Sequence, residues 1–251
     1  MFFGMCNSLV TFQAMMDEIF KKKIKGDLII VYMDDVLGFS KTINRLKKIK
    51  QIVLEKAQEH DLFFKAKKCK FQKQKIKYLG LVVQEGKLAI DLAKLQGILK
   101  WPALKTVKEV WSFLRFGNFY QWFIKNFSHL AHPLNDLLKK DRKFIWSNEC
   151  QESFDLLKKH LTEEPVLMMP DHTRPFQIQV DSSLFATRGI LTQMDTNGDC
   201  HPCAYLSKSL TKEQRNYDTG DRELLAIVHM LKEWRHYIQG SGHNHYLIWS
   251  Q

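Results

Sequence analysis

"LIIVYMDDVLGFS", Leu28 to Ser40, sets two adjacent carboxylates, Asp34 and Asp35, between apolar residues. The flanking runs "LIIVYM" and "VLGF" are rich in β-branched and aromatic side chains. Two such runs parted by two polar residues read as a β-hairpin, which puts Asp34 and Asp35 at its turn. Two-residue hairpin turns favour Asn-Gly or Asp-Gly because these accept positive φ, whereas paired aspartates repel and do not suit that backbone. A hairpin tip also projects polar groups from a rigid base, which suits the gathering of oxygen ligands for a hard divalent ion. The residues alone leave an ordinary turn and a metal site about equally favoured.

The chain around this stretch has 251 residues, 45% of them hydrophobic, enough for one large or two modest domains. Lysine and arginine number 38 against 27 acidic residues, a formal net charge of +11. The excess lies in "KKKIK" (Lys21 to Lys25), "RLKKIK" (Arg45 to Lys50) and "KAKKCKFQKQKIK" (Lys65 to Lys77). One such run is ordinarily a solvated helix face. Three of them, with no amphipathic anchor helix alongside, point to nucleic-acid phosphate rather than a membrane surface. The apolar runs are too short to span a bilayer, and "MFFGMCNSLV" lacks the basic start and cleavage site of a signal peptide. Five scattered cysteines make no disulfide framework and suit a reducing compartment. Cys200-His201-Pro202-Cys203 has zinc-like spacing, but a structural zinc needs four ligands and no second pair is present.

Apolar spacing predicts a helix over Thr11–Phe20 and a basic amphipathic helix over Ile43–His60. Gly80 and Glu85-Gly86 punctuate strand-like pieces in "KIKYLGLVVQEGKLAI". "TVKEVWSFLRFGNFYQWFIKNF" (Thr106 to Phe127) reads as one helix whose aromatic stripe belongs to the core, and "QESFDLLKKHL" as another. "EEPVLMMPDHTRP" reads as a linker. Three strands follow, "FQIQVD", "GILTQM" and "HPCAYLS", then a helix over Asp221–Ile238, which suggests a mixed sheet covered by that helix. The expected fold class is mixed α/β, of the α+β kind.

"YMDD" between apolar strands resembles the metal-binding hairpin of reverse transcriptases. Upstream, "FFGMCNSLVTFQAMM" resembles the segment that precedes that hairpin in gypsy-type (Metaviridae) LTR retrotransposon Pol polyproteins. Downstream, "KCKF", "YLG", "WP", "HPLNDLLKK", "PVLMMPD", "HPCAYLSKSLT" and "NYDTGDRELLAIVHMLKEWRHYI" follow in that family's order over essentially the whole chain. The resemblance implies the last part of a reverse transcriptase palm over 1–84, a helical thumb over 85–140, a connection over 141–175 and the first part of an RNase H-like domain over 176–251. It makes Asp34 and Asp35 catalytic carboxylates and ligands of Mg²⁺ or Mn²⁺, with Asp34 the more direct. Tyr32 and Met33 would border the primer end, while Phe3, Gly4 and Gln13 would line the nucleotide and template region. Asp181 and Glu223 would be the first two metal-binding carboxylates of the RNase H site. By residue chemistry alone, Glu223 in the first turn of its helix is what a helix dipole favours; the resemblance makes it a ligand.

The implied reaction is RNA-directed DNA synthesis with RNase H cleavage of RNA in RNA–DNA hybrids, by two-metal phosphoryl transfer. The implied partners are an RNA template, a DNA primer, RNA–DNA hybrid and dNTPs, with no membrane, inside the cell in a cytoplasmic replication particle or the nucleus. Several positions depart from the family. Its other polymerase aspartate belongs upstream of "FFG", and its third RNase H carboxylate belongs where Trp249, Ser250 and Gln251 stand. Leu9 replaces a proline, Gly38 a large apolar residue, and Arg115 and Arg188 replace glycines. The isolated chain is therefore expected to lack both activities, the alternative being a non-catalytic, basic nucleic-acid-binding remnant of a decayed element.

Overall fold

The computed structural model describes residues 7–24, 29–40, 42–140, 143–163, 166–240 and 247–250. It forms two compact units, Met1–Tyr78 and Leu79–Gln251.

The first unit contains helix α1 (Ser8–Ile24), strands β1 (Ile29–Tyr32) and β2 (Asp35–Gly38), helix α2 (Ile43–Glu59) and strand β3 (Lys75–Tyr78). Strand β1 alternates, with Ile29 and Val31 buried and Ile30 and Tyr32 exposed, so one face of the hairpin is dry. Met16 and Phe20 of α1 and Ile49 of α2 close over that face. The expected hairpin is present, but its turn is not Asp34-Asp35. The strands pair Ile29↔Gly38 through Tyr32↔Asp35, so Met33 and Asp34 make the turn and Asp35 already belongs to the ladder. The backbone gives the reason, since the turn demands positive φ and Met33 supplies it at +50°. Gly38 also has a packing role, because a Cβ there would lie 2.9 Å from Ile49 Cγ2. The missing side chain leaves room for α2 to settle on the hairpin.

In the second unit, strands β4 (Leu81–Gln84), β5 (Lys87–Ile90) and β6 (Leu167–Met168) pair antiparallel. Between β5 and β6 run helices α3 (Leu92–Leu99), α4 (Val107–Phe119), α5 (Phe127–Leu130), α6 (His132–Asp136) and α7 (Asn148–Thr162). Three of these helices start at capping side chains: Asp91, Thr106 and Ser147 accept from the N–H groups of Ala93, Glu109 and Cys150. The single aromatic helix expected over Thr106–Phe127 is broken. Helix α4 stops at Phe119, a 3₁₀ turn covers Gln121–Phe123, and Asn126 adopts a left-handed φ of 60° before α5. The Tyr120 hydroxyl donates to the Gly80 carbonyl at 3.3 Å, and Gly117 lets the Phe127 ring come within 3.2 Å of where a Cβ would sit. The fold-back buries Phe123, Ile124 and Phe127 beside Phe113 and Phe154, so the stripe is largely core; Trp111 and Phe119 stay 53% exposed.

Strands β7 (Gln177–Ser182), β8 (Ala186–Met194) and β9 (Cys200–Ser209) form an antiparallel meander, followed by helices α8 (Thr219–Glu233) and α9 (Arg235–Gly240) and strand β10 (Leu247–Ser250). Strand β10 joins β7 in parallel, giving the order β10-β7-β8-β9 in a mixed sheet. Helix α8 packs Ala226, Met230 and Trp234 against Ile178, Val180 and Leu191. Gly189 sets their closeness, since a Cβ there would fall 2.2 Å from the Met230 sulfur. At the far edge of the sheet, Ser128 donates its N–H to Ser207 Oγ at 3.1 Å and its hydroxyl to the Ser207 carbonyl at 2.8 Å. Among the described residues no helix is long and apolar enough to cross a membrane.

Candidate functional site

The first candidate centre is the tip of the β1–β2 hairpin. The buried side chains of β1 anchor it, and Gln13 of α1 fixes its backbone. The Gln13 amide oxygen accepts from the Met33 N–H at 2.6 Å, while its nitrogen donates to the Val31 carbonyl at 3.2 Å and to Asp17 Oδ1 at 2.8 Å. A left-handed non-glycine residue costs roughly 1–3 kcal/mol and persists only where its surroundings over-determine it, as these bonds do for Met33. Asp35 lies directly opposite Tyr32 and shares its face, away from Ile29 and Val31. Asp34 and Asp35 are both exposed, and among the described residues neither has an ion-pair partner. Near them the Tyr78 phenol is pushed above its ordinary pKa by burial first, then by Asp35 and Tyr32, so it stays neutral at physiological pH. Five sequence-predicted residues, Gln13, Tyr32, Met33, Asp34 and Asp35, thus converge at one place. Gln13 acts here as a clamp on the turn, a role the sequence reading missed because only a pairing twenty residues away reveals it. Phe3 and Gly4 lie outside the described residues.

The second candidate centre surrounds Asp181 near the end of β7. Its cross-strand partner in the antiparallel register is Arg188 of β8, and the two form an ion pair through Arg188 Nη2 and Asp181 Oδ2. By strand alternation both face away from Val180, Thr187 and Gly189, the face on which α8 packs. Thr187 confirms that assignment, with its hydroxyl 3.0 Å from His229 Nδ1 of α8. Glu223 sits on α8 at the spacing of Ile227, Met230 and Trp234, and is partly buried. It is not in the first turn, as the sequence suggested. Asp218 caps the helix by accepting from the Asp221 N–H at 2.8 Å, so α8 begins at Thr219 and Glu223 lies one turn further in, where the helix dipole offers it less. Among the described residues no hydrogen bond or ion pair joins Asp181 to Glu223. The parallel register sets Ser250 opposite Val180, one step from Asp181, so the strand that flanks Asp181 offers serine there.

Two family descriptions match the chain: "Reverse transcriptase (RNA-dependent DNA polymerase)" over residues 1–83, and "RNase H-like domain found in reverse transcriptase" over residues 146–245. The Transposon Tf2-3 polyprotein of Schizosaccharomyces pombe is 32% identical over 217 residues, which is 86% of this chain and 16% of that protein. The chain belongs to the reverse transcriptase and RNase H-like family of Ty3/gypsy-type retrotransposon polyproteins. The Tf2-7 polyprotein of the same yeast is 32% identical over 219 residues. The chain spans 16% of the length of these relatives. Its fold is also that of solved enzymes. A foamy viral protease-reverse transcriptase in complex with RNA/DNA hybrid superposes with a TM-score of 0.81 at 22% identity, covering 100% of this chain and 33% of that one. The same viral protein in complex with dsDNA gives a TM-score of 0.81 at 21% identity, covering 100% of this chain and 51% of that one.

Reverse transcriptases and RNases H use divalent metal ions, and the two candidate centres suit such an ion unequally. The hairpin offers exposed oxygen donors on a fixed backbone with no competing cation among the described residues, which fits a hard ion. At Asp181 a guanidinium already holds the carboxylate, which does not. The one group of three potential ligands among the described residues is elsewhere, at Asp195 and Asp199 in the turn between β8 and β9 and His201 at the start of β9. Burial opposes ionisation of Asp195, but the N–H groups of Asp199 and Asn197 and the His201 ring outweigh it and hold the carboxyl below its usual pKa. These bonds close the turn on themselves. Nearby, burial first and then Cys200 push the Cys203 thiol up to about 12, so that with no metal bound it is a neutral thiol at physiological pH.

Proposed function

We propose that this segment works on nucleic acid within a retrotransposon polyprotein, in RNA-directed DNA synthesis, with the β1–β2 hairpin as its polymerase metal centre. The observation that carries the reading is the convergence at the hairpin tip: two exposed carboxylates on a strained turn that Gln13 clamps from α1. Asp34 and Asp35 would hold Mg²⁺ or Mn²⁺, which when bound would neutralise charge developing on a transferring phosphoryl group. Tyr32, on the same face as Asp35, would border the primer end. The 1–84, 85–140, 141–175 and 176–251 parts would serve as palm, thumb, connection and RNase H-like domain.

The net charge of +11 and the basic face of α2 supply the electrostatic half of the reading. Lys47, Lys48 and Lys50 line that helix, and RNA template, DNA primer and their hybrid are the polyanions they would meet. Fluorescence anisotropy with a labelled RNA–DNA hybrid tests this. Affinity is expected to fall roughly 100-fold between 50 and 200 mM KCl, as several released counterions require. Binding that ignores salt would remove the phosphate contacts from the proposal. For the RNase H-like part a second reading, binding without cleavage, is favoured by the guanidinium on Asp181.

A further inference from the structure

We propose that Arg188 takes the place of the divalent ion at the RNase H-like carboxylate centre, so that Asp181 is held by a cation belonging to the chain itself. The inference rests on reading Asp181 as the first carboxylate of that centre. Asp181 and Arg188 are directly opposed in the β7–β8 ladder, where paired side chains project from the same face of the sheet. Ladder hydrogen bonds on either side fix their spacing, so the guanidinium reaches the carboxylate without moving either strand. The pair is only part-exposed, with 29% of the Arg188 side chain and 40% of the Asp181 side chain open to solvent. Arg188 Nε is buried and makes no hydrogen bond among the described residues, so the guanidinium's contact with Asp181 runs through Nη2.

A free divalent ion would have to displace this tethered charge. Mg²⁺ binds through one or two carboxylates in strict octahedral geometry and dehydrates reluctantly. A guanidinium on the neighbouring strand competes at the effective concentration of an intramolecular ligand and adds like-charge repulsion to the approach. On the other flank β10 runs parallel to β7, with Ser250 opposite Val180 in the register. The RNase H-like part then keeps its sheet and its place in the chain, with the carboxylate neutralised from within.

The test counts bound Mn²⁺ on the full chain from the electron paramagnetic resonance signal of the free hexaaqua ion. All proteins carry Asp34→Asn and Asp35→Asn, so that the hairpin contributes nothing. With Arg188 in place, Asp181→Asn is expected to leave the Mn²⁺ count unchanged. Arg188→Thr, which suits a strand, is expected to add one Mn²⁺ equivalent at least tenfold tighter than any residual binding. Asp181→Asn in that background should remove it. Arg188→Gln is measured alongside, with circular dichroism to confirm folding, and should show the same gain. A drop in Mn²⁺ count on Asp181→Asn in the Arg188 protein would overturn the proposal, as would no gain in either folded Arg188 variant. None of these readouts uses hybrid binding, so loss of the nucleic-acid reading and loss of this one are told apart.

Discussion

Asp34–Asp35, at a hairpin turn and the strand that leaves it, and Asp181, near the end of a strand, are carboxylates of antiparallel ladders in one chain, and their surroundings differ in kind. At the hairpin the strain is in the backbone: Met33 is held left-handed by a glutamine from another element, and the carboxylates face solvent without a paired cation among the described residues. At β7 the backbone is regular and the side chain is committed, because the residue opposite is an arginine. What separates the proposed metal centre from a salt bridge is therefore the partner across the ladder. Tyr32 faces Asp35 in one case and Arg188 faces Asp181 in the other.

The comparison can be broken at its supports. The largest effect is expected for Gly189→Leu, since a Cβ alone meets the Met230 sulfur at 2.2 Å and Trp234 at 3.1 Å. A cost of about 3 kcal/mol is expected, as for severe overpacking of a core. Calorimetry would register it as a lower melting midpoint, while amide exchange at the hairpin, in the other compact unit, should not change. Gln13→Ala comes next. It removes the hydrogen bonds to Met33 and Val31 and should destabilise the turn by roughly 1–2 kcal/mol, read as faster exchange of the Met33 amide with no change at Asp181. The smallest effect concerns pH. Burial, then Lys208 and Lys232, hold the His229 pKa below its ordinary 6.5 in the folded protein, so the unfolded chain binds the proton more readily. Stability present above pH 6.5 is lost as pH falls through the folded value, and His229→Gln should flatten that slope in a thermal-melt series between pH 7.5 and 5.

Much of this was legible in the sequence where local chemistry decides. The alternation in "LIIVYM" announced the hairpin, and Ser147 and Thr106 cap helices that periodicity had already indicated. What escaped depends on long-range register. The turn lies one residue earlier than "DD" suggests because a side chain from α1 supports a positive φ at Met33, and no propensity records that. The break at Tyr120 depends on a hydrogen bond to Gly80, forty residues away, whereas the aromatic spacing alone runs on as one helix. Arg188 could be singled out as a departure from glycine, yet its effect on Asp181 requires knowing that the two are opposed in the ladder. Glu223 lies two residues deeper in the helix than expected because Asp218, a residue the pattern did not weigh, caps its start.

The pair of bonds that Ser128 makes to Ser207 has a further meaning for the life of the chain. Strand β9 is the outer strand of its sheet, and an uncovered outer strand is a template for pairing with another chain. Ser128 takes the Ser207 carbonyl, an acceptor that a stranger's backbone would use, and it comes from the helical part of the same unit. A protease cut between α5 and β7 would therefore do more than shorten the protein: the released sheet would carry a sticky border that the intact chain keeps shielded.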